Sequence, residues 1–408
     1  MKILFYNHTG KVSGGERVLS MIVSRLDRER FEAVVMCPED GPLPSMMIAD
    51  GVRRLPIDAL LARFTWRPTL LTRYLASFLR LMRAARVAAI SEQPDLIHAN
   101  SIRSGLVMSI ATVGLKIPVI WHIHDLLPRH PLSTAIRFVS IAFRQTHVVA
   151  VSHAVARRFC GSLLRWFSRR PQITTIHNAV DIEKFQPNPW KRAGKRLSLN
   201  LAERDFVLGI VGQLTPRKGQ LETIQAFAHV AQSFPDAKLI IIGEALFNRD
   251  SEYADALHDT AKRLGLADRV LFLGQREDIR ELTRAFDLAI VNSKAEPFGL
   301  TVVEAMASGT PVLATAVDGI CEIVEHGRNG WLVTSGNREQ LAEGMELLLA
   351  DRNMREQLST SALATVRSRF AGERFISDFE KLYRSVCSTS DSRKFAHPRK
   401  LEVKLSAD

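Results

Sequence analysis

The sequence predicts an α/β protein of two domains, each built on a doubly wound parallel sheet, that face each other across a central cleft. Its 408 residues exceed what one ordinary hydrophobic core holds. Short apolar β-type runs alternate with helical stretches in both halves, as parallel sheets covered by helices on two faces require. A polar segment with prolines and a glycine, residues 181–204, separates the two series and reads as a connector.

In the first half, buried apolar runs predict six strands. They are expected at residues 3–6, 33–36, 95–98, 118–122, 147–151 and 173–176. A helix follows the first strand, because Val18, Ile22 and Leu26 recur at helical spacing behind Gly14-Gly15.

The second half repeats the pattern. Strands are expected at residues 206–211, 238–242, 270–273, 288–292 and 311–314, with helices near 220–233, 252–264 and 300–307. The chain then divides into a first domain (1–180), a linker (181–204), a second domain (205–368), a helix expected to cross back to the first domain (369–387) and a disordered tail (388–408).

Composition narrows the class of protein. Hydrophobic residues make up 46% and charged residues 24%, which is typical of a well-packed globular chain. The four cysteines lie far apart and form no Cys-x-x-Cys pair, which argues against a disulfide framework and a structural zinc site. No signal peptide and no apolar run of roughly 18 residues is present. We therefore expect a cytoplasmic protein.

Basic residues concentrate in the first half, within a net charge of +12. Such a field attracts phosphates, anionic lipid or nucleic acid, although a solvated basic surface explains it equally well. Aromatic residues are only 7% and no nucleic-acid-binding module is recognised, so nucleic acid is a remote alternative. The arginines are Arg53, Arg54, Arg63, Arg67, Arg73, Arg80, Arg83 and Arg86, and, in the acid-free stretch 126–180, Arg129, Arg137, Arg144, Arg157, Arg158, Arg165, Arg169 and Arg170.

In each predicted domain, a glycine-containing loop follows the first strand. Gly14 and Gly15 open a helix, where the backbone can approach an anion, but a plain tight turn is an equal alternative and the Gly-x-Gly-x-x-Gly spacing is absent. In the second loop, residues 212–219, Arg217 and Lys218 stand beside glycines at a helix start and can clamp a pyrophosphate. A Walker loop is excluded because the Gly-Lys-Ser/Thr ending is missing.

Glu296 and Glu304 flank a junction between a loop and a helix. Val302, Val303 and Met306 share the face expected on the sheet, which turns Glu304 toward the cleft. There its carboxylate suits the paired hydroxyls of a ribose. Glu296 and the amides of the three residues from Phe298 to Leu300 suit sugar hydroxyls and phosphate. The alternative is that Glu296 caps the helix and Glu304 is solvated.

A strand of the first domain ends in Trp121-His122-Ile123-His124-Asp125, with His122 and His124 on the same side. A histidine beside an aspartate can be a metal ligand, a general base or a partner for a substrate hydroxyl, and is often structural. No third ligand at a suitable spacing is apparent, so a metal is the weakest of these interpretations.

Taken together, residues 2 to about 384 resemble the family-four glycosyltransferases of the GT-B fold, which has two facing Rossmann-like domains. The motifs that carry the resemblance keep the family's order and spacing. They are Gly14-Gly15, His124-Asp125, the hinge Ile176-His177-Asn178-Ala179-Val180-Asp181 with Phe185 and Pro187, residues 212–219, Glu296 and Glu304, and Gly319-Ile320-Cys321-Glu322-Ile323-Val324 followed by Gly327 and Asn329-Gly330.

The resemblance implies roles for individual residues. The donor-binding residues are Gly14, Gly15, Gln213, Arg217, Lys218, Phe298, Gly299, Leu300 and Glu304, and the catalytic residues are His124 and Glu296. Among them the Gly15 amide and Lys218 would hold the diphosphate, Glu304 the ribose, and His124 the sugar near its reacting carbon. Gln213 departs from the family pattern, which often has arginine there, and Arg217 can supply the missing charge.

The resemblance also implies an activity. We expect sugar transfer from a nucleotide diphosphate sugar to a glycan or lipid-linked acceptor, with retention at the anomeric carbon, without a metal or other cofactor, in cell-surface polysaccharide or glycolipid synthesis. A sugar-nucleotide epimerase or a phosphorylase is the alternative within the fold. Arg73, Arg80 and Arg83 recur at helical spacing beside Leu75, Phe78, Leu79 and Met82, which suggests peripheral attachment to anionic membrane.

Overall fold

The computed structural model describes residues 1–60, 68–143, 146–161, 172–245 and 251–395. Its first domain is a seven-stranded parallel sheet. The strands are β1 (Lys2–Tyr6), β2 (Glu32–Cys37), β3 (Arg53–Pro56), β4 (Leu96–Ala99), β5 (Val119–Ile123), β6 (Thr146–Ala150) and β7 (Gln172–Thr175), in the spatial order β3-β2-β1-β4-β5-β6-β7. The helices are α1 (Gly14–Arg25), α2 (Leu43–Ala49), α3 (Pro68–Glu92), α4 (Ile102–Ala111), α5 (Pro131–Ala142) and α6 (His153–Cys160).

The second domain is a six-stranded parallel sheet. Its strands are β8 (Phe206–Val211), β9 (Ala237–Ile242), β10 (Val270–Phe272), β11 (Leu288–Val291), β12 (Val312–Thr315) and β13 (Trp331–Val333), in the order β10-β9-β8-β11-β12-β13. The helices are α7 (Pro189–Ser198), α8 (Gln220–Ser233), α9 (Ser251–Arg263), α10 (Ile279–Ala285), α11 (Leu300–Ala307), α12 (Arg338–Ala350) and α13 (Arg352–Arg369), and they are followed by a last helix, α14 (Gly372–Phe395).

The eleven predicted strands are all present, with ends shifted by no more than one residue. Each central strand is a short run of apolar residues buried on both faces, which is why the sequence reveals it. The prediction missed β3 and β13, which lie at sheet edges and are short. β3 also carries Arg53, Arg54 and Pro56, a composition that an edge strand tolerates and a central strand does not.

The connector at residues 181–204 contains a helix, which the sequence analysis did not predict. Asn188 caps α7 by accepting from Lys191 N at 2.9 Å, and Pro189 occupies its first turn, where a missing N–H costs nothing. Arg196 of α7 is buried, and its guanidinium donates to Ala285 O at 3.2 Å. The prolines that suggested a loop therefore mark a helix start.

The last helix packs on the first domain. Phe379 and Tyr383 of α14 are fully buried, and their rings lie against His98 at centroid distances of 5.6 and 5.9 Å. Helix α14 continues to Phe395, so the prediction of a disordered tail beginning at residue 388 is wrong for residues 388–395, and residues 396–408 lie outside the described residues.

The strand orders define where a ligand can bind. In the first sheet the direction of winding reverses between β1 and β4, and in the second it reverses between β8 and β11. Ligands of such sheets bind beyond the carboxyl ends of the strands at these reversals. The residues that the sequence singled out as donor-binding or catalytic follow β1, β5, β8 and β11.

The arginines do not form one uniform surface. Arg73, Arg80 and Arg83 are exposed on α3 with Leu75 and Leu79. Phe78 and Met82 pack on the core, and Arg137 is buried, with Nε donating to Phe159 O at 2.6 Å. Arg63, Arg67, Arg144, Arg165, Arg169 and Arg170 lie outside the described residues. None of the described helices is long and apolar enough to cross a bilayer.

Candidate active site

Gly14 and Gly15 form the start of α1 beyond β1. Ser13 precedes the helix, and its N–H donates to Glu16 Oε2 at 3.0 Å. The carboxylate of Glu16, the third residue of α1, therefore caps the first turn of the helix. A Cβ atom at Gly15 would lie 3.2 Å from ring carbons of His124. The missing side chain thus allows the helix start and the end of β5 to approach each other closely.

Buried amides connect the ends of three neighbouring strands. Asn7 follows β1 and donates through Nδ2 to Glu16 Oε1 at 3.2 Å. Asn100 follows β4, and its Nδ2 donates to Asn7 Oδ1 at 3.0 Å and to Gly15 O at 3.2 Å. His124 follows β5, and its Nε2 lies 2.9 Å from Asn100 Oδ1. Sequence reasoning missed Asn100, although its position directly after a buried strand was a usable signal.

Three histidines stack behind this network. The rings of His124 and His122 lie 4.1 Å apart, as their alternation along β5 predicted, and His122 Nδ1 lies 3.2 Å from His98 Nε2. Burial lowers the pKa of His124 to about 3 and that of His98 to about 3, and lowers the pKa of His122 well below its usual range. The three imidazoles are therefore neutral at physiological pH.

The loop after β8 depends on two glycines. Gly219 has a φ of +69°, and a Cβ atom there would lie 2.1 Å from Asn292 O, so only glycine fits before α8. Gly212 has a φ of +150°, and an added Cβ would lie 3.5 Å from Lys218 Cε. A single turn, Pro216–Lys218, then carries the cationic residues into the cleft.

Lys218 and Glu296 are directly paired. Lys218 Nζ lies 2.6 Å from Glu296 Oε2, and Ser293 Oγ donates to the same oxygen at 3.1 Å. Arg217 Nη1 donates to Ala295 O at 2.8 Å and lies 3.8 Å from Glu296 Oε2. Glu296 is buried beneath these cations, with 9% of the residue exposed, and the three side-chain contacts all fall on Oε2. Its neighbours are the cationic groups predicted for phosphate binding.

Backbone groups take up the space between Glu296 and α11. Phe298 is buried, and its ring packs edge-on against Phe370 at 5.8 Å. Gly319 lies so close that a Cβ would be 2.6 Å from Phe298 Cα. Gly299 has a φ of +113° and precedes Leu300, the first residue of α11. The first amides of this helix have no carbonyl acceptor within it, as at any helix start.

Glu304 faces the cleft, as the helical pattern predicted, while Val302, Val303 and Met306 are buried. Burial raises its pKa to about 7, against the opposing effects of Arg17 and Lys218. Arg17 belongs to α1, and its Nη1 lies 3.9 Å from Glu304 Oε1 across the cleft. Sequence reasoning missed Arg17, which stands only two residues after Gly15.

Other contacts show that the two sides border one cleft. A Cβ at Gly14 would lie 3.1 Å from Leu300 Cδ1 of the facing domain. Protein atoms around the Asp125 carboxylate raise its pKa by desolvation, against the opposing effects of Arg103 and Arg217. Gln213 is half-buried, and its carbonyl accepts from Gln220 Nε2 at 2.9 Å.

A second set of contacts clasps the domains beside the hinge. Glu322 of the second domain accepts from His153 N at 2.8 Å and from Ala154 N at 2.7 Å, at the start of α6 in the first domain. His177 Nε2 lies 2.8 Å from Glu322 Oε2. Burial alone would raise the pKa of Glu322, but these hydrogen bonds bring it below its usual range.

Within the described ranges, the grouping that could hold a metal ion is this same set, His153, His177 and Glu322, whose candidate ligand atoms lie within 4.8 Å of one another. Two backbone amides and an imidazole already hydrogen-bond to the Glu322 carboxylate, so these contacts are explained by a link between the two domains without a metal ion. Sequence reasoning missed the set because 145 positions separate His177 from Glu322.

Comparisons with known proteins agree with this arrangement. The model of Glycosyltransferase Family 4 matches residues 12–184, and the model of Glycosyl transferases group 1 matches residues 192–364. The chain is 30% identical to the Anabaena protein HepE, crystallised with UDP and glucose. That superposition has a TM-score of 0.81 and covers 94% of this chain and all of HepE.

Two curated relatives are similar over most of their length. N-acetyl-alpha-D-glucosaminyl L-malate synthase of Bacillus anthracis is 28% identical over 75% of this chain and 79% of its own. The UDP-Gal:alpha-D-GlcNAc-diphosphoundecaprenol alpha-1,3-galactosyltransferase of Escherichia coli is 25% identical over 79% of this chain and 81% of its own.

Proposed function

Because the chain belongs to glycosyltransferase family 4, and is therefore a GT-B glycosyltransferase that uses nucleotide sugars, we propose that it transfers a hexose from a UDP-sugar to a hydroxyl of a glycan or lipid-linked acceptor, with retention. One observation carries the proposal. Lys218 and Glu296 form a pair at 2.6 Å on one side of a cleft, Glu304 lies beside them, and Gly15 and His124 face them from the other domain.

The charges suit a leaving diphosphate. Breaking the bond between the sugar and the phosphate leaves negative charge on the β-phosphate and positive charge on the ring. Lys218 has three N–H donors, of which one is used by Glu296, so the others are available to phosphate oxygens. Arg217 and the free amides at Gly15 and at the start of α11 add to this stabilisation. We propose that these groups act in place of a divalent cation.

Carboxylates hold the rest of the donor in this proposal. Glu304 accepts hydrogen bonds from the two ribose hydroxyls, and Glu296 presents Oε1 to a sugar hydroxyl while Oε2 stays with Lys218. The acceptor oxygen attacks from the face that the phosphate leaves, and its proton passes to a departing phosphate oxygen. This same-face course gives retention without a covalent enzyme intermediate.

Two observations support a proposal about the acceptor and about where in the cell the enzyme acts. The E. coli relative is named for an acceptor linked to diphosphoundecaprenol, which is a lipid carrier. On this chain, α3 exposes Arg73, Arg80 and Arg83 beside Leu75 and Leu79, a combination that suits anionic membrane. We propose a lipid-linked acceptor, in cell-surface polysaccharide or glycolipid synthesis, reached by an enzyme docked on the membrane surface.

A donor screen tests the proposal. One UDP-sugar should raise the thermal midpoint of the wild type, and Lys218→Ala and Glu304→Ala should each weaken this shift. With acceptor, nucleoside diphosphate and a new glycoside should form in equal amounts, and the NMR coupling of the new anomeric proton should match that of the donor. The rate of sugar transfer should be unchanged when EDTA is added.

Different products would point elsewhere. An epimerised nucleotide sugar, or a sugar phosphate, would replace this proposal with an epimerase or a phosphorylase. Inversion at the anomeric carbon would refute the same-face course alone.

A further inference from the structure

The orientation of the Asn100 amide is fixed by acceptors that cannot donate. Asn7 Nδ2 donates to Thr9 O at 2.6 Å and to Glu16 Oε1 at 3.2 Å, which are both acceptors only, so Asn7 Oδ1 must be the atom that faces Asn100. Asn100 Nδ2 donates to that oxygen and to Gly15 O. A flipped Asn100 would place its oxygen against two other oxygens.

This orientation fixes the proton of His124. Asn100 Oδ1 lies 2.9 Å from His124 Nε2 and can only accept, so Nε2 must carry hydrogen. Burial lowers the pKa of His124 to about 3, so the ring is neutral and Nδ1 carries a lone pair.

The remaining nitrogen is a buried acceptor without a partner among the described residues. His124 Nδ1 has no hydrogen-bond partner there. A Cβ at position 15 would lie only 3.6 Å from it, so Gly15 keeps the approach to this atom open. Leaving a buried acceptor unpaired costs the protein free energy, and a ligand that supplies the missing donor removes this cost.

The family resemblance already places His124 against the donor sugar; we propose that Asn100 is the positioning residue that fixes His124 as the Nε2–H tautomer, which leaves Nδ1 as the atom that accepts a hydrogen bond from a sugar hydroxyl. This inference rests on the proposed function. It narrows the donor to sugars with a free hydroxyl at that ring position, since a deoxy or O-substituted sugar supplies no proton. It also assigns His124 the role of hydrogen-bond acceptor, which involves no proton transfer to the ring.

NMR of the free protein tests the tautomer without any substrate. In protein labelled with ¹⁵N-histidine, the signals of His124 are those missing from His124→Gln. We expect a neutral ring with hydrogen on Nε2 in the wild type. In Asn100→Ala, which removes the acceptor of the Nε2 hydrogen, the preference for this tautomer should be lost. A wild-type ring with hydrogen on Nδ1, or a charged ring, would overturn the inference.

Kinetics with monodeoxy analogues of the accepted donor test the hydroxyl contact. For one analogue, the wild type should lose about ten- to a hundredfold in kcat/KM. The same analogue should cost Asn100→Ala and His124→Gln little beyond the effect of the substitution itself.

Asn329→Ala provides the matched control. Asn329 is equally buried, and its amide donates to Ile323 O at 3.1 Å in the second domain, away from His124. This variant should be less stable but should keep the full loss with the deoxy donor. Full discrimination by Asn100→Ala would refute the inference, and if that variant fails to fold, the wild-type spectrum still decides. A lack of transfer from every donor would refute the proposed function but would leave the NMR test of His124 in force.

Discussion

The burial of the Glu304 carboxylate opposes the negative charge that its proposed binding of ribose requires. Its folded-state pKa of about 7 lies above its ordinary value of 4.5. Ionisation of Glu304 therefore lowers the free energy of unfolding. This loss is small below about pH 4.5, grows as the pH rises, and reaches about 3 kcal/mol above about pH 7. Glu304→Gln should accordingly unfold at higher denaturant concentration than the wild type at pH 8, and at nearly the same concentration at pH 4.5.

Glu356→Gln is the control for this measurement, because Glu356 is 62% exposed and should change stability little at either pH. A Glu304→Gln variant that is less stable than the wild type at pH 8 would contradict the prediction.

Lys218 offers a kinetic prediction at the same scale. If its ammonium stabilises the departing phosphate, Lys218→Ala should lower kcat/KM by about 10²- to 10³-fold, the usual effect of removing one such donor. Lys195→Ala is a matched control, because Lys195 is similarly buried and paired, at 2.7 Å, with Asp278, and neither residue is assigned to donor binding. Equal losses in both variants would indicate general destabilisation instead.

At the scale of elements, the start of α6 is joined to the opposite domain by the carboxylate of Glu322 and by Ser152, whose Oγ donates to Pro297 O at 2.6 Å. The pKa of Glu322 is lowered, so its contribution to stability is present above its ordinary value of 4.5 and is lost as the pH falls through the folded-state pKa. Glu322→Gln turns one acceptor oxygen into a donor that faces an N–H group. We expect a loss of about 1–3 kcal/mol in the free energy of unfolding at pH 7, shrinking in acid.

Glu325→Gln controls for the loss of a charge in the same segment, since Glu325 is 48% exposed and pairs with Arg328. Chemical denaturation of both variants gives the comparison. An unchanged stability of Glu322→Gln would mean that the clasp at α6 contributes nothing to the folded state.

At the scale of the whole molecule, the exposed arginines of α3 predict salt-sensitive membrane binding. Each arginine near an anionic surface contributes about 1 kcal/mol, so the triple variant R73E/R80E/R83E should partition to anionic vesicles at least about a hundredfold less than the wild type. Vesicle sedimentation at low and high salt measures this.

The triple variant R328E/R338E/R352E makes the same change in charge on the second domain, where all three side chains are exposed. It should keep most of the binding. Equal loss in both variants would show that net charge matters and that the face of α3 does not. No binding of the wild type to anionic vesicles at low salt would end the membrane hypothesis.

Local sequence patterns were enough to predict the two sheets, the side of α11 that faces the cleft, and the glycine turns. These features depend on local periodicity and on backbone freedom, as at Gly219, where a side chain would strike Asn292. Helix α7 could not be predicted in this way, because a proline is compatible both with the first turn of a helix, as at Pro189, and with a loop.

The contacts between residues far apart in the chain could be read from the folded structure alone. Asn100 and His124, Arg17 and Glu304, and His177 and Glu322 are each brought together by strand order or by the facing of two domains. Burial is likewise a property of the whole fold, and it is burial that raises the pKa of Glu304 and keeps His124 neutral. Such contacts leave no local pattern, because their energies depend on the distance in space and on the surrounding medium, not on separation along the chain.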